Sequence, residues 1–290
     1  MASRLPHRPR GAPEPREVAE LRRLRQQQPE LAPAIDLQVA LLDLQRRVEA
    51  RVPLPACALN VDRGPVVPQP GRALLRFEDL PIEWSDARYL LRATADLLVR
   101  AQALEDDDHR RLLALSREGH RLEPLVEQWY NATTTWDPQG FTPPRIPPEL
   151  EGFDQLFAVA LRPYLFRCAH ALAPQLDLSG WRDSRCPMCG GEPELAVIAM
   201  SGERALVCSR CGLRWPTLED VCPFCRNDDR SQIKSFASPD GRYRLDACDV
   251  CRRYVKAYDE RSAPRPAMPA VDTIATLPLD ASAMQRGYRG

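Results

Sequence analysis

The fold is decided by four short runs: CPMCGG at 186–191, CSRCGL at 208–213, CPFCRN at 222–227 and CDVCRR at 248–253. Each C-x-x-C turn aims two sulfurs at one point, and two such turns supply the four thiolates of a tetrahedral site suited to Zn(II) or a single iron. Four pairs within the 66 residues from Cys186 to Cys251 predict metal binding. Gly190 and Gly212 directly follow their second cysteines, where a turn that curls its amides toward sulfur needs positive φ. Pro187 and Pro223 preset φ just after their first cysteines. The other two turns end in Arg226 and Arg252, so they are either strained or built differently.

The array repeats. Between the first two pairs lie 18 residues, read as a strand at 195–200, a Ser201-Gly202 turn and a returning strand at 205–207. After Cys225 the same order recurs, with a strand at 233–236, a turn at Pro239-Asp240-Gly241 and a strand at 243–245. Leu213 and Trp215 open a further strand after one unit, and Tyr254, Val255 and Tyr258 after the other. Sequential pairing, in which each hairpin joins its own two knuckles, fits the repeat better and gives site one as Cys186, Cys189, Cys208 and Cys211, and site two as Cys222, Cys225, Cys248 and Cys251. Only 10 residues separate Cys211 from Cys222, so cross-braced pairing stays geometrically open. Modules of this kind bury little core, and structural zinc contributes about 10–16 kcal/mol of apparent binding energy in finger peptides. Chelation is therefore expected to unfold residues 182–260 and leave the preceding helices standing. Four disulfides or a series of thioredoxin-like redox pairs would use the same cysteines, but no export signal or strand-to-helix context supports either.

Upstream the pattern is helical. Residues 1–16 are rich in Pro and Arg without an apolar period and read as a loosely attached arm. From Glu17 helical spacing dominates, with Ile35, Val39, Leu42 and Val48 on one face of a helix over 33–51. Residues 53–72 carry five prolines and form a long loop. Ser85 is placed to cap a helix running to Leu104, whose inward stripe is Leu90, Leu97, Ala101 and Leu104. Asp106, Asp107 and Asp108 suit the start of another helix, a further helix covers 122–131, and 137–148 is a second proline-rich loop. Phe153, Phe157, Ala160, Tyr164, Cys168 and Leu172 mark a buried helix that Pro163 should kink. Cys168 reads as a small core residue, Cys57 stands alone, and His7, His109, His120 and His170 lack ligand spacing. No phosphate loop, HExxH or nucleophile elbow occurs.

Composition narrows the function classes. The 290 residues carry 40 basic and 40 acidic side chains, the basic ones almost all arginine, so no global field recruits nucleic acid. Residues 181–260 hold 13 of each sign, and eight thiolates with two divalent ions then leave a net of −4. Counterion release from a phosphate backbone would be poor. A zinc-ribbon nucleic-acid-binding protein is thus the second reading. Four thiolates per metal leave no open coordination position, which argues against an enzyme. The sequence has no apolar run long enough for a membrane span and no apolar signal region, so a cytoplasmic protein is expected.

CPMCGGEP, CSRCGLRW, CPFCRN and CDVCRRYVKAYD, in that order, resemble the formate dehydrogenase accessory protein FdhE family, as does the tail at 277–288. The resemblance is specific over 182–288 and architectural over the helical part. It implies a multidomain α plus small β chain: an N-terminal all-helical domain over 17–180, two rubredoxin-like or zinc-ribbon-like metal modules over 181–219 and 220–290, and a short C-terminal helix closing the second. It further implies a cytoplasmic accessory (maturation) factor that is no enzyme and contacts the catalytic subunit of formate dehydrogenase. Two mononuclear iron sites, each held by four cysteines, are implied, with zinc the alternative. Which surface contacts the dehydrogenase is carried by no motif; the expectation is that the loops at 53–72 and 138–148 and the groove between helical and metal parts form it. A homo-oligomer is left open.

Overall fold

A computed structural model describes residues 14–55, 65–137 and 146–290. The arm at 1–13, Cys57 and the inner parts of both proline-rich loops lie outside the described residues.

Among the described residues seven α-helices precede the cysteines: α1 (Arg16–Gln27), α2 (Ala32–Glu49), α3 (Trp84–Arg100), α4 (Asp106–Arg117), α5 (Gly119–Thr134), α6 (Asp154–Ala160) and α7 (Arg162–Leu172). Their bounds follow local chemistry, with departures from the sequence expectation in α3 and at Pro163. Helix α3 is capped by Glu83, whose carboxylate accepts from the Ser85 amide at 3.3 Å, rather than by Ser85. It stops at Arg100, shortly before Gln102 at φ 56°. Its buried stripe is accordingly Ala87, Leu90, Leu91, Thr94, Ala95 and Leu98, rotated from the expected one, and Ala101 is exposed. Pro163 does more than kink its helix. It lacks an amide donor and favours a first turn, so α6 ends at Ala160 and α7 restarts at Arg162.

Downstream come β1 (Pro193–Ile198), β2 (Arg204–Cys208), β3 (Arg214–Pro216), β4 (Ile233–Ala237), β5 (Tyr243–Cys248) and β6 (Tyr254–Asp259), then α8 (Pro269–Ala275) and α9 (Leu277–Gln285). Two antiparallel sets lie in series, as the repeat predicts. They are joined by a parallel pairing of β1 with β6 (Ala196↔Ala257, Val197↔Tyr258, Ile198↔Asp259) into one six-stranded sheet ordered β3-β2-β1-β6-β5-β4. Central strands are buried on both faces, which requires cover on each side. On one face Ala196, Ile198, Leu206, Val255 and Ala257 continue the core of the N-terminal helices. On the other, Leu195, Val197, Val207, Tyr243 and Tyr258 pack beneath Ala275 and Leu279 of α8 and α9.

Helix α2 serves two cores. Leu44 and Val48 belong to the large one, while Ile35 joins Leu21, Leu24, Leu31 and Val271 in a smaller cluster that ties α1 to α8. The large core runs without a break from Leu44 through Trp129, Tyr164 and Cys168 to Trp215 and Ala257, and takes in six of the eight knuckle cysteines. Among the described residues no helix is long and apolar enough to cross a membrane.

Candidate metal centre

All four knuckles are built alike. In each, the first cysteine donates its amide to the carbonyl five residues on: Cys186 to Gly191 at 2.9 Å, Cys208 to Leu213 at 3.0 Å, Cys222 to Asn227 at 2.9 Å and Cys248 to Arg253 at 2.8 Å. The residue after the second cysteine donates back to the first cysteine's carbonyl at 2.9–3.1 Å. That residue has positive φ in every case: 70° at Gly190 and Gly212, 56° at Arg226 and 57° at Arg252. The arginine knuckles therefore adopt the same turn as the glycine ones, with the strain that a left-handed L-residue carries.

The turns bring the sulfurs together in two groups, Cys186, Cys189, Cys208 and Cys211, and Cys222, Cys225, Cys248 and Cys251, with the Sγ atoms of each group within 4.8 Å of one another. Each group comes from one antiparallel unit, so the grouping is sequential and not cross-braced. Sγ–Sγ approaches of 3.5 Å (Cys186 to Cys211 and Cys189 to Cys208), 3.7 Å (Cys222 to Cys251) and 3.6 Å (Cys225 to Cys248) are seen. Metal–sulfur bonds of about 2.3 Å in a tetrahedron place sulfurs about 3.8 Å apart, so the donor set and its spacing fit a tetrathiolate ion. Backbone amides point at sulfur as well: Arg210 and Cys211 donate to Cys208 Sγ at 3.4 and 3.5 Å.

Electrostatics lead to the same fit. Burial pushes the Cys186 and Cys211 thiols well up, while at Cys208 the hydrogen bonds from Cys186, Cys189 and Cys211 outweigh burial and hold it well down. In the second group the hydrogen bond with Cys222 draws Cys251 down to about 5. The same bond and then burial raise Cys222, and burial lifts Cys225 to about 11. In each group the neighbouring thiols thus favour ionisation at one cysteine, Cys208 in the first and Cys251 in the second. A divalent ion supplies the charge that lets all four ionise.

The two groups sit in different surroundings. The four sulfurs of the first are fully buried, and the helical region reaches its knuckles directly. Leu74 and Leu75 donate their amides to the Pro187 and Met188 carbonyls at 2.9 and 3.0 Å. Arg210 donates to Thr133 Oγ1 at 2.8 Å and lies 4.6 Å over the Trp129 ring. Trp136 and Trp215 both donate to Asp183, and Trp181 to the Arg185 carbonyl. In the second group Cys225 and Cys251 are half-buried, and Val250, inside the last knuckle, is 59 % exposed. Between the groups, Glu192 accepts from Arg185 at 3.0 Å and Arg253 at 2.6 Å. Burial opposes the Glu192 charge, but the Arg253 hydrogen bond prevails and holds its carboxyl below the usual range.

Sequence reasoning brings together all eight knuckle cysteines and buries Cys168 in the core. It misses the strap at 65–75, whose described part is pinned by Gly71 to Trp136, Ala73 to Thr134, and Leu74 and Leu75 to the first knuckle. The prolines of 53–72 signal irregular chain, and nothing in its pattern says what that chain crosses.

The class defined so far is a helical bundle fused to a six-stranded sheet that carries two groups of four cysteines. No family model matches the chain. Among curated relatives, a "Protein FdhE homolog" of Shewanella baltica is 32 % identical over 110 residues, 37 % of this chain and 36 % of that protein. One from Stutzerimonas stutzeri is 35 % identical over 123 residues, 39 % of this chain and 40 % of that protein. These matches span well under half of the relatives' length. The crystal structure of the FdhE protein from Pseudomonas aeruginosa superposes with a TM-score of 0.60 over 94 % of this chain and 92 % of that one, at 19 % identity, so the fold is shared. The chain is thus similar in sequence to FdhE proteins over little more than a third of its length, and in fold over nearly all of it.

Proposed function

We propose that this protein is an accessory factor in the maturation of formate dehydrogenase, working in the cytoplasm by binding the enzyme's catalytic subunit and catalysing no reaction of its own. The observation that carries the reading is the pair of four-cysteine groups, in a chain that shares the fold of the FdhE protein from Pseudomonas aeruginosa. We assign Cys186, Cys189, Cys208 and Cys211 to one ion and Cys222, Cys225, Cys248 and Cys251 to the other, in modules 181–219 and 220–290 beside the helical domain 17–180. Iron would add one-electron redox capability, whereas zinc would be structural. With four thiolates each, neither site keeps a position for substrate.

A binding surface for the dehydrogenase is supported by the groove between helical and metal parts. A cavity of about 430 Å³ there is lined by Arg46, Glu49, Phe166, Gly212, Arg214 and Met268 among others. Phe166 is 39 % exposed, and the described flanks of the first proline-rich loop present Leu54 and Val67 to solvent. The test is deletion and complementation: loss of the gene should abolish formate oxidation, and the wild-type chain should restore it. Purified anaerobically, the chain should carry two ions and capture the catalytic subunit. A variant with both loops shortened and Phe166→Asp should lose capture while keeping its metal. Unchanged formate oxidation after deletion would sink the reading.

A further inference from the structure

The two cysteine groups share one knuckle design but not one environment. Around the first, the helical region packs against both knuckles. Leu74 and Leu75 hold the 187–188 backbone, a Cβ on Gly190 would lie 2.7 Å from the Thr133 carbonyl, and one on Gly212 would lie 3.1 Å from the Phe166 ring. A sulfur there can leave its ion only if this packing opens, so metal loss is coupled to loss of core.

The second group is covered less: Cys222 and Cys248 reach the same core, but among the described residues no hydrogen bond from the N-terminal helical region reaches its knuckles. The hydrogen bonds described for knuckles 222–226 and 248–252 all come from residues 222–289: Asn227, Gln232, Arg253, Arg286, Tyr288, Arg289 and the knuckles themselves. Cys225 and Cys251, the second cysteine of each knuckle, are the half-buried ones, and Val250 beside Cys251 is largely exposed. Beside Cys222 a cavity of about 320 Å³ opens between Arg182, Leu218, Val221, Pro223 and Arg226. An incoming thiolate or chelator can reach this group without moving a helix.

We propose that the first group holds its ion as a permanent part of the fold, and that the second is an exchanging site, which takes up and releases a thiophilic divalent ion through Cys225 and Cys251. The inference rests on reading both groups as metal centres. The step is ligand substitution: a donor atom of the acceptor bonds the ion as one cysteine sulfur departs and takes a proton from solvent, and no electron moves.

The molecule contains its own reporter. Its five tryptophans are Trp84, Trp129, Trp136, Trp181 and Trp215; none follows the third knuckle, and Trp136, Trp181 and Trp215 all bond to residues 183–185, just before Cys186. The experiment is to load the full chain with zinc, add excess EDTA, and follow zinc and tryptophan emission together. Two equivalents should bind. One should leave at least roughly tenfold faster than the other, with no change in emission, and emission should change only with the second. Cys251→Ser should bind one slow equivalent with wild-type emission. Release of both equivalents at one rate, an emission change during the first release, or a fast equivalent persisting in Cys251→Ser would overturn the assignment of exchange to the second site. Fewer than two equivalents on the wild-type chain is a separate result: it would remove the metal-centre reading, and this inference with it.

Discussion

At the residue scale, Arg226 and Arg252 show how a metal knuckle overrides local preference. Glycine at 190 and 212 announces the left-handed turn in the sequence, but arginine at the matching positions does not, because an L-residue avoids that conformation by about 1–2 kcal/mol. The structure gives both arginines the same turn and the same amide-to-carbonyl bond. The two differ in what their side chains do. Arg252 lies 4.1 Å over the Tyr288 ring and donates to the Arg286 carbonyl and to Asp249, whereas Arg226 makes no such set of contacts among the described residues. Arg226→Gly is therefore expected to raise stability by up to about 1 kcal/mol, since relief of strain exceeds the entropy glycine adds to the unfolded chain. Arg252→Gly should be neutral or destabilising. Thermal unfolding of the metal-loaded proteins decides, and equal shifts in both would contradict the strain argument. Gly190 offers the converse test. Gly190→Ala meets two backbone atoms, the Thr133 carbonyl oxygen and the Thr134 Cα at 3.0 Å, and should cost about 2–4 kcal/mol. Gly241→Ala, at the same φ of 70° but with its nearest contact at 3.8 Å, should cost about 1 kcal/mol.

At the element scale, the strands were legible and their assembly was not. Alternation and turn residues place β1, β2, β4 and β5 within a residue or two at most ends, because each strand's register is set by its own hairpin. The parallel pairing of β1 with β6 joins residues about sixty positions apart, and no local pattern encodes it. One consequence is a buried ion pair on neither hairpin alone. Arg204 of β2 donates to Asp246 of β5 at 2.7 Å, with side-chain exposures of 3 % and 9 %. Arg204 also donates to the Glu219 carbonyl, and Asp246 accepts from Ser235. Removing Arg204 leaves the Asp246 charge buried with Ser235 and, at 3.5 Å, Arg244 as its partners, which places the loss at the low end for a broken buried pair, about 3 kcal/mol. Arg204→Met is thus expected to lower stability by about that amount, and Arg204→Met with Asp246→Asn to recover a good part of it. Urea unfolding of the two variants checks this; a double variant no better than the single would mean that the pair is not what couples the hairpins.

At the scale of the whole molecule, the serial order of helices and cysteine modules is legible in the sequence, since the cysteines begin where helical periodicity ends, while a terminal helix is expected only from the family resemblance. The dependence of these parts on one another is not legible there, because it lives in contacts between distant segments. Reading the modules as self-sufficient leads to the expectation that chelation unfolds residues 182–260 and spares the helices. The structure argues for a different outcome. Cys186, Cys189, Cys208 and Cys211 lie in the same core as Leu90, Trp129, Phe157 and Leu165, and the first knuckle supplies the acceptors for the Leu74 and Leu75 amides. An empty first group would leave four buried thiols to find new packing and the amides of half-buried Leu74 and buried Leu75 at risk of losing their partners, at about 1–3 kcal/mol for a buried unsatisfied group. Removal of the first ion should therefore loosen α5 and the strap at 65–75 along with the sheet. Hydrogen exchange on the loaded and stripped chains is the measurement: amides at 73–75 and in the last turn of α5 should lose protection on removal of the slowly released ion and keep it when only the fast one leaves. Protection retained throughout the helices after both ions are gone would restore the picture of independent domains, with the continuous core acting as an interface and not as a shared foundation.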